Sequence, residues 1–219
     1  MDGAIIYQIY YHDDQRKELF PFTKPYKNEV LTPFFENSVI KDIVHGTQFE
    51  KIGVCSWRLK EKLRRNIPPY RNFDESLLKS DYDVLSLSKN TKKHVMLACA
   101  ETNHKGFKVL LNKIGDKISQ PIPNEVKYPI YYNHFVARTE IYKQYIKEFL
   151  LPAMEVMETD TEVKQLCYVD SGYSKLTKEP MSAQAAVQLG VNYFPLHPFL
   201  CERFFSCWIN NKNFNVQYI

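Results

Sequence analysis

The chain has 219 residues, 44% of them hydrophobic and 25% charged, which is enough for one α/β domain with a sizeable core and too apolar for disorder. A net charge of only +4, spread along the chain, excludes the electrostatic footprint of a dedicated nucleic-acid binder. With 7 Gly and neither a dinucleotide fingerprint nor a Walker A loop, any phosphate must be held by side chains.

The first predicted strand is the β-branched and aromatic run 4–11, ending in His12-Asp13-Asp14-Gln15. His12 and Asp13 then read either as a helix cap with a surface histidine or as groups holding a ligand's base or ribose. Pro21, Pro25 and Pro33 among Phe20, Phe22, Tyr26 and Phe34 predict an aromatic-anchored loop over 19–34. Apolar spacing at Phe34, Phe35, Val39, Ile40 and Ile43 predicts a helix within 31–44, the connector of a βαβ unit with parallel strands.

The run Ile52 to Cys55 has the composition of a buried central strand and turns within three residues into a basic segment, Ser56-Trp57-Arg58-Leu59-Lys60-Glu61-Lys62. A helix over 59–65 sets Leu59 and Leu63 on one side and Arg58, Lys62 and Arg65 on another. In an open α/β sheet, ligands bind beyond the carboxyl ends of the strands, where Ser56, Trp57 and Arg58 fall. Pro68-Pro69-Tyr70 and 73–78 read as a turn-like connection to a strand over 84–87. Ahead of that strand, Asp81 and Asp83 spell D-x-D, a pattern that holds Mn or Mg against diphosphate oxygens in many sugar-nucleotide enzymes, and equally the solvated start of a strand.

Phe107, Leu110, Leu111 and Ile114 predict a packing helix over 102–118. The stretch 130–136 is strand-like and carries Asn133 and His134 just before a long helix, 139–157. His134 reads as a satisfied buried histidine or a site group. Residues 168–173 read as a strand end and turn, with Asp170 either capping the turn or serving a site; 183–189 reads as a helix stopped by Gly190. The tail over 198–211 is a strongly apolar helix containing Glu202 and Arg203, charges that need partners among so many aromatics. Five cysteines without C-x-x-C spacing read as buried thiols of a reducing compartment. With no basic leader at Met1-Asp2-Gly3 and no apolar run near the ~20 residues of a membrane span, a cytoplasmic protein with at most peripheral contact at the inner face of a membrane is expected.

Five segments occur together in a telling order: Leu31-Thr32-Pro33-Phe34-Phe35-Glu36-Asn37, Ile52-Gly53-Val54-Cys55-Ser56-Trp57-Arg58, Asp81-Tyr82-Asp83-Val84-Leu85, Asn133-His134-Phe135, and Phe199-Leu200-Cys201-Glu202-Arg203-Phe204-Phe205-Ser206-Cys207-Trp208. The order resembles a family of small bacterial glycosyltransferases from capsule and O-antigen gene clusters, whose corresponding segments read like G-L-C-H-Y-R-R-Y-F, D-Y-D-I-I and G-F-L-S-E-R-L-F-x-x-W. The departure falls at Ser56-Trp57-Arg58-Leu59, where that pattern carries His-Tyr-Arg-Arg.

The resemblance implies a GT-A-like, mostly parallel open sheet flanked by helices in a single domain. Residues 1–118 would form the nucleotide-binding half and 119–219 the acceptor half. A nucleotide-sugar donor would give its sugar to a glycan or lipid-linked acceptor, without nucleic acid. The donor's base and ribose would lie near Tyr10, His12 and Asp13, its diphosphate near Arg58 and Lys60 with Ser56 and Trp57 also in the donor site, and its sugar near Asn133, His134 and Asp170. Asp170 or Glu202 would be the catalytic base. A domain of the same shape that binds without turnover is the alternative.

Overall fold

A computed structural model describes residues 3–66, 73–88 and 96–219. Six strands form one sheet: β1 (Ala4–Tyr10), β2 (Lys24–Lys27), β3 (Lys51–Ser56), β4 (Val84–Ser86), β5 (Phe135–Arg138) and β6 (Val216–Tyr218), in the order β2-β1-β3-β5-β4-β6. β1 pairs in parallel with β2 and with β3, and β4 with β6, while β5 runs antiparallel between β3 and β4. The protein is therefore a mixed α/β domain with a mostly parallel sheet, and residues on both sides of position 118 build that one sheet.

The α-helices among the described residues are α1 (Asn37–Gly46), α2 (Leu59–Asn66), α3 (Met96–Asn103), α4 (Phe107–Lys117), α5 (Thr139–Tyr145), α6 (Leu151–Thr159), α7 (Thr161–Cys167), α8 (Tyr173–Thr177), α9 (Ala183–Leu189) and α10 (His197–Ile209), with a π-helical segment, Ile146–Leu150, joining α5 to α6. Core forms on both faces of the sheet. On one, Ile52, Val54, Val84, Phe135 and Ala137 meet the apolar stripes of α1, α4, α5 and α10; on the other, Ile6, Cys55, Leu85 and Val136 meet Phe20, Leu59, Leu63 and Leu78. The alternation along each strand sends successive side chains to opposite layers.

Four predicted elements differ. The stretch 19–34, expected as a loop, contains the edge strand β2, Lys24–Lys27, which pairs in parallel with β1. The helix expected over 102–118 is two, because the chain turns at Gly106 with φ 84° between α3 and α4. The strand expected over 130–136 begins only at Phe135. Tyr132 and Asn133 sit at φ 63° and 55°, outside the strand region, and the Ser206 hydroxyl both accepts from the Ile130 N–H (2.8 Å) and donates to the Ile130 carbonyl (3.2 Å). Residues 168–173 join no strand: α7 runs to Cys167, and the Asp170 carboxylate accepts the Gly172 N–H at 2.9 Å in a turn. Pro68-Pro69-Tyr70 lies outside the described residues.

The sheet fixes where a crevice can open. β2 lies on one side of β1 and β3 on the other, so the strand order reverses at β1, and the crevice beyond the carboxyl ends of β1 and β3 is the geometric place for a ligand. β3 reaches this position through a tight crossing: a Cβ on Gly53 would stand 2.9 Å from the Phe135 carbonyl oxygen and 3.0 Å from Val136 Cγ2. Gly53→Ala is expected to lower stability by about 1–3 kcal/mol through overpacking. Urea unfolding checks this: the midpoint falls while the slope stays unchanged.

Candidate functional site

A cavity of about 600 Å³ opens beyond the carboxyl ends of β1 and β3. β1 delivers Tyr11 and His12, β3 delivers Ser56, Trp57 and Arg58, and α2 delivers Lys62. Glu36 comes from the turn entering α1, Tyr132 from the turn before β5, His104 from the end of α3, and Glu202 and Arg203 from α10. Residues from Tyr173 to Gln188 form another side.

Backbone strain gathers on the wall. Phe35, Tyr132 and Asn133 are non-glycine residues with φ of 52°, 63° and 55°, and Phe35 and Tyr132 line the cavity. Such conformations cost on the order of 1–3 kcal/mol each and persist where surrounding structure enforces them, which is typical of functional sites. One buried hydrogen bond links the two turns: Asn133 Nδ2 donates to Asn37 Oδ1 at 2.9 Å.

The left-handed turn at Phe35 presents Glu36, a partly buried carboxylate to which the Tyr11 hydroxyl donates at 3.4 Å. Burial first, and the charge of Glu202 second, push the Glu36 carboxyl up to about 7, against the opposing pull of Tyr11 and Lys62. Glu202 accepts from Arg203 Nη1, which also donates to the Phe199 carbonyl at 3.2 Å. Lys62 sits 4.2 Å from the centre of the Tyr132 ring. His104 is buried, and its Nδ1 lies 2.6 Å from the Ser171 carbonyl. That oxygen can only accept, so neutral His104 carries its proton on Nδ1 and keeps the Nε2 lone pair. The cavity therefore combines carboxylates, cations and aromatic faces.

Of the sequence-predicted residues, the fold brings His12, Ser56, Trp57, Arg58 and Glu202 to this cavity. Tyr10 is buried in the core at the end of β1, and Asp13 is exposed beside Lys27 at 3.2 Å, at the start of the short 3-10 helix Asp13–Glu18. Asn133 and His134 lie behind the wall: Asn133 braces α1, and His134 is buried with Nε2 3.4 Å from Ser56 Oγ. Asp170 is exposed and spends its carboxylate on the Gly172 turn, outside the cavity. Lys60 lies over the Phe20 ring at 5.6 Å, on the other side of α2.

Asp81 and Asp83 precede β4, which runs parallel to β3, so they stand at the opposite end of the sheet from the cavity. Arg138 Nη2 donates to Asp81 at 3.1 Å and Nε to Asp83 at 3.0 Å, and the second Asp83 oxygen accepts the Asn215 N–H at 2.9 Å. Both carboxylates brace strand starts, and this pair does not fit a Mn or Mg site beside the cavity.

Sequence reasoning missed Glu36, Tyr11 and Lys62 as cavity residues. The available signal for Glu36 was its place in the segment 31–37, a lone carboxylate after Phe34-Phe35 at a helix start. No family model matches this chain, and neither a curated protein nor a solved structure matches it.

Burial holds His134 neutral, lowering it from 6.5 to about 3, with the Lys62 charge adding to the effect. The unfolded chain thus takes up this proton first, and the corresponding stability is present above pH 6.5 and lost as pH falls toward 3. In His134→Gln the acid-side decline in unfolding free energy is expected to be shallower by up to about 1.4 kcal/mol per pH unit. Denaturant melts between pH 3.5 and 7 measure the difference from the parent chain; superimposable slopes would mean that His134 is protonated in the fold.

Proposed function

We propose that the protein is a glycosyltransferase with a GT-A-like sheet, transferring a sugar from a nucleoside-diphosphate donor to a hydroxyl of a surface glycan or lipid-linked acceptor. The observation that carries this reading is the Glu36–Glu202 pair in an aromatic- and cation-lined cavity at the point where strand order reverses. Tyr11, Phe35 and Tyr132 offer faces for a base or a sugar ring, and Arg58 and Lys62 offer positive charge toward a departing diphosphate.

In the proposed step the acceptor oxygen forms a bond to the anomeric carbon as the bond from that carbon to the donor phosphate oxygen breaks. The electron pair leaves with the nucleoside diphosphate, and the acceptor's proton passes to Glu36. A base near 7 has the proton affinity that general-base catalysis at neutral pH favours, and Glu36 takes the role that the resemblance gives to Asp170 or Glu202. Glu202, held by Arg203, tunes Glu36 through its charge. Positioning and charge stabilisation supply the rest of the acceleration.

The direct test is a thermal-shift and turnover screen against nucleoside diphosphates and their sugars, with and without Mg or Mn. A donor at a hundredfold excess over Kd adds roughly 2.7 kcal/mol to stability, which is readily seen. No shift with any nucleotide would sink the transferase reading and leave a glycan-binding domain as its replacement. With a donor in hand, kcat/KM is expected to rise through a limb near pH 7 as Glu36 ionises. Glu36→Gln should lose about 10²–10⁴ in kcat/KM. Glu202→Gln should move the limb to lower pH, because it removes the like charge that keeps Glu36 protonated.

A further inference from the structure

Arg58 stands where β3 opens into the cavity, and its guanidinium is fully engaged by protein groups. Nε and Nη2 donate to Glu61 at 2.6 and 3.0 Å; Nη1 donates to Glu179 at 3.1 Å and to the Tyr173 hydroxyl at 3.1 Å; Nη2 reaches the second Glu179 oxygen at 3.5 Å. These contacts raise its proton affinity further, Glu61 contributing most, so Arg58 is a permanent cation.

The two carboxylates are not equivalent. Glu61 rides on α2, three residues from Arg58, and arrives with the helix. Glu179 comes from the stretch between α8 and α9, and its side chain is 55% exposed while that of Arg58 is 18% exposed. An ion pair with one half-solvated partner is weak. The stretch 172–190 that carries Glu179 has little else to hold it. α8 buries no residue and α9 buries only Leu189, and left-handed glycines stand at both ends, Gly172 at φ 72° and Gly190 at φ 68°. Beyond the Arg58 contacts, the Tyr173 ring against Phe194 and Phe199 is its main anchor. This same stretch walls the cavity through Tyr173, Leu176, Glu179 and Gln188.

The forked contact that Glu179 makes with Nη1 and Nη2 is also the geometry in which arginine binds two phosphate oxygens. We propose that Glu179 is an internal anion occupying a phosphoryl-binding fork of Arg58, and that a phosphoryl group entering the cavity displaces it and releases the stretch 172–190. The exchange requires only a phosphoryl anion; that this anion is a donor diphosphate rests on the transferase reading. The glutamate then acts as a gate on the site: the cavity wall is fastened when empty and freed when the ligand's phosphate arrives.

The probe is inorganic pyrophosphate, titrated calorimetrically into the full chain at fixed ionic strength. Glu179→Gln keeps the size of an exposed side chain and removes the competing charge, so it is expected to bind pyrophosphate about three- to fivefold more tightly than the parent. Trypsin supplies an independent readout at Lys175, which is exposed within the stretch. Pyrophosphate should speed cleavage there in the parent, and Glu179→Gln should be cut quickly without it. Unchanged or weaker binding by Glu179→Gln, pyrophosphate slowing the cleavage, or no binding to either protein would overturn the exchange. Tighter binding together with no sugar transfer from any nucleotide donor would uphold the exchange and remove the transferase reading alone.

Discussion

The hydrogen bond between Asn133 and Asn37 fastens the start of α1 to the turn before β5, and the cavity depends on it. Each partner sits beside a backbone conformation that non-glycine residues avoid, Phe35 before Asn37 and Tyr132 before Asn133. Inside a protein a fully satisfied amide pair is held more strongly than in water, and leaving either amide unpaired costs the desolvation of a buried polar group. The bond therefore holds two strained turns in place. One presents Glu36 and the other presents Tyr132, with His134 following behind Ser56. Close approach of β3 and β5 across Gly53 brings those turns within reach of each other.

The charges of the site follow from how unequally water is removed from them. Glu36 is partly buried and faces Glu202, so it holds its proton to about 7. Glu202 is closed off by Arg203, itself buried against Phe107 and the carbonyl of Phe199. Arg58, nearer the mouth, meets Glu61 and Glu179. A carboxylate deprived of solvent becomes a base of neutral strength, whereas a partly solvated one serves as a replaceable counter-ion. Both kinds lie in one cavity here, and that division of labour underlies the proposed chemistry and the proposed exchange at Arg58.

Much of the architecture was legible from local pattern. The β-branched run of β1, the unbroken apolar run of β3, the stripe of Phe107, Leu110, Leu111 and Ile114, and the aromatic tail that becomes α10 all carry the periodicity of the element they form. The failures have a common cause. At 130–134 the composition favours a strand, yet Ser206 on α10 takes the Ile130 backbone groups and the chain bends through Tyr132 and Asn133. Tertiary partners overrode propensity there, as they did for 168–173, where the Tyr193 hydroxyl donates to the Tyr168 carbonyl and the Ser171 N–H donates to the Phe194 carbonyl. Likewise D-x-D is a pattern of type and spacing only; Arg138, from an antiparallel strand, decided that Asp81 and Asp83 brace strand starts.

The sequence by itself determined the α/β class and the buried strand that leads into Ser56-Trp57-Arg58, because periodicity depends on neighbours in the chain, and a cavity does open beyond that strand. Tertiary structure alone decided which charged groups face one another. Glu36 and Glu202 belong to distant segments, and although each stands out locally as a charge beside aromatics, nothing in either segment says that the two meet. Their coupling, the elevation of Glu36, and the capture of Arg58 by Glu179 arise from desolvation and from Coulomb energies that fall off with distance. Those quantities have no value until the chain has folded.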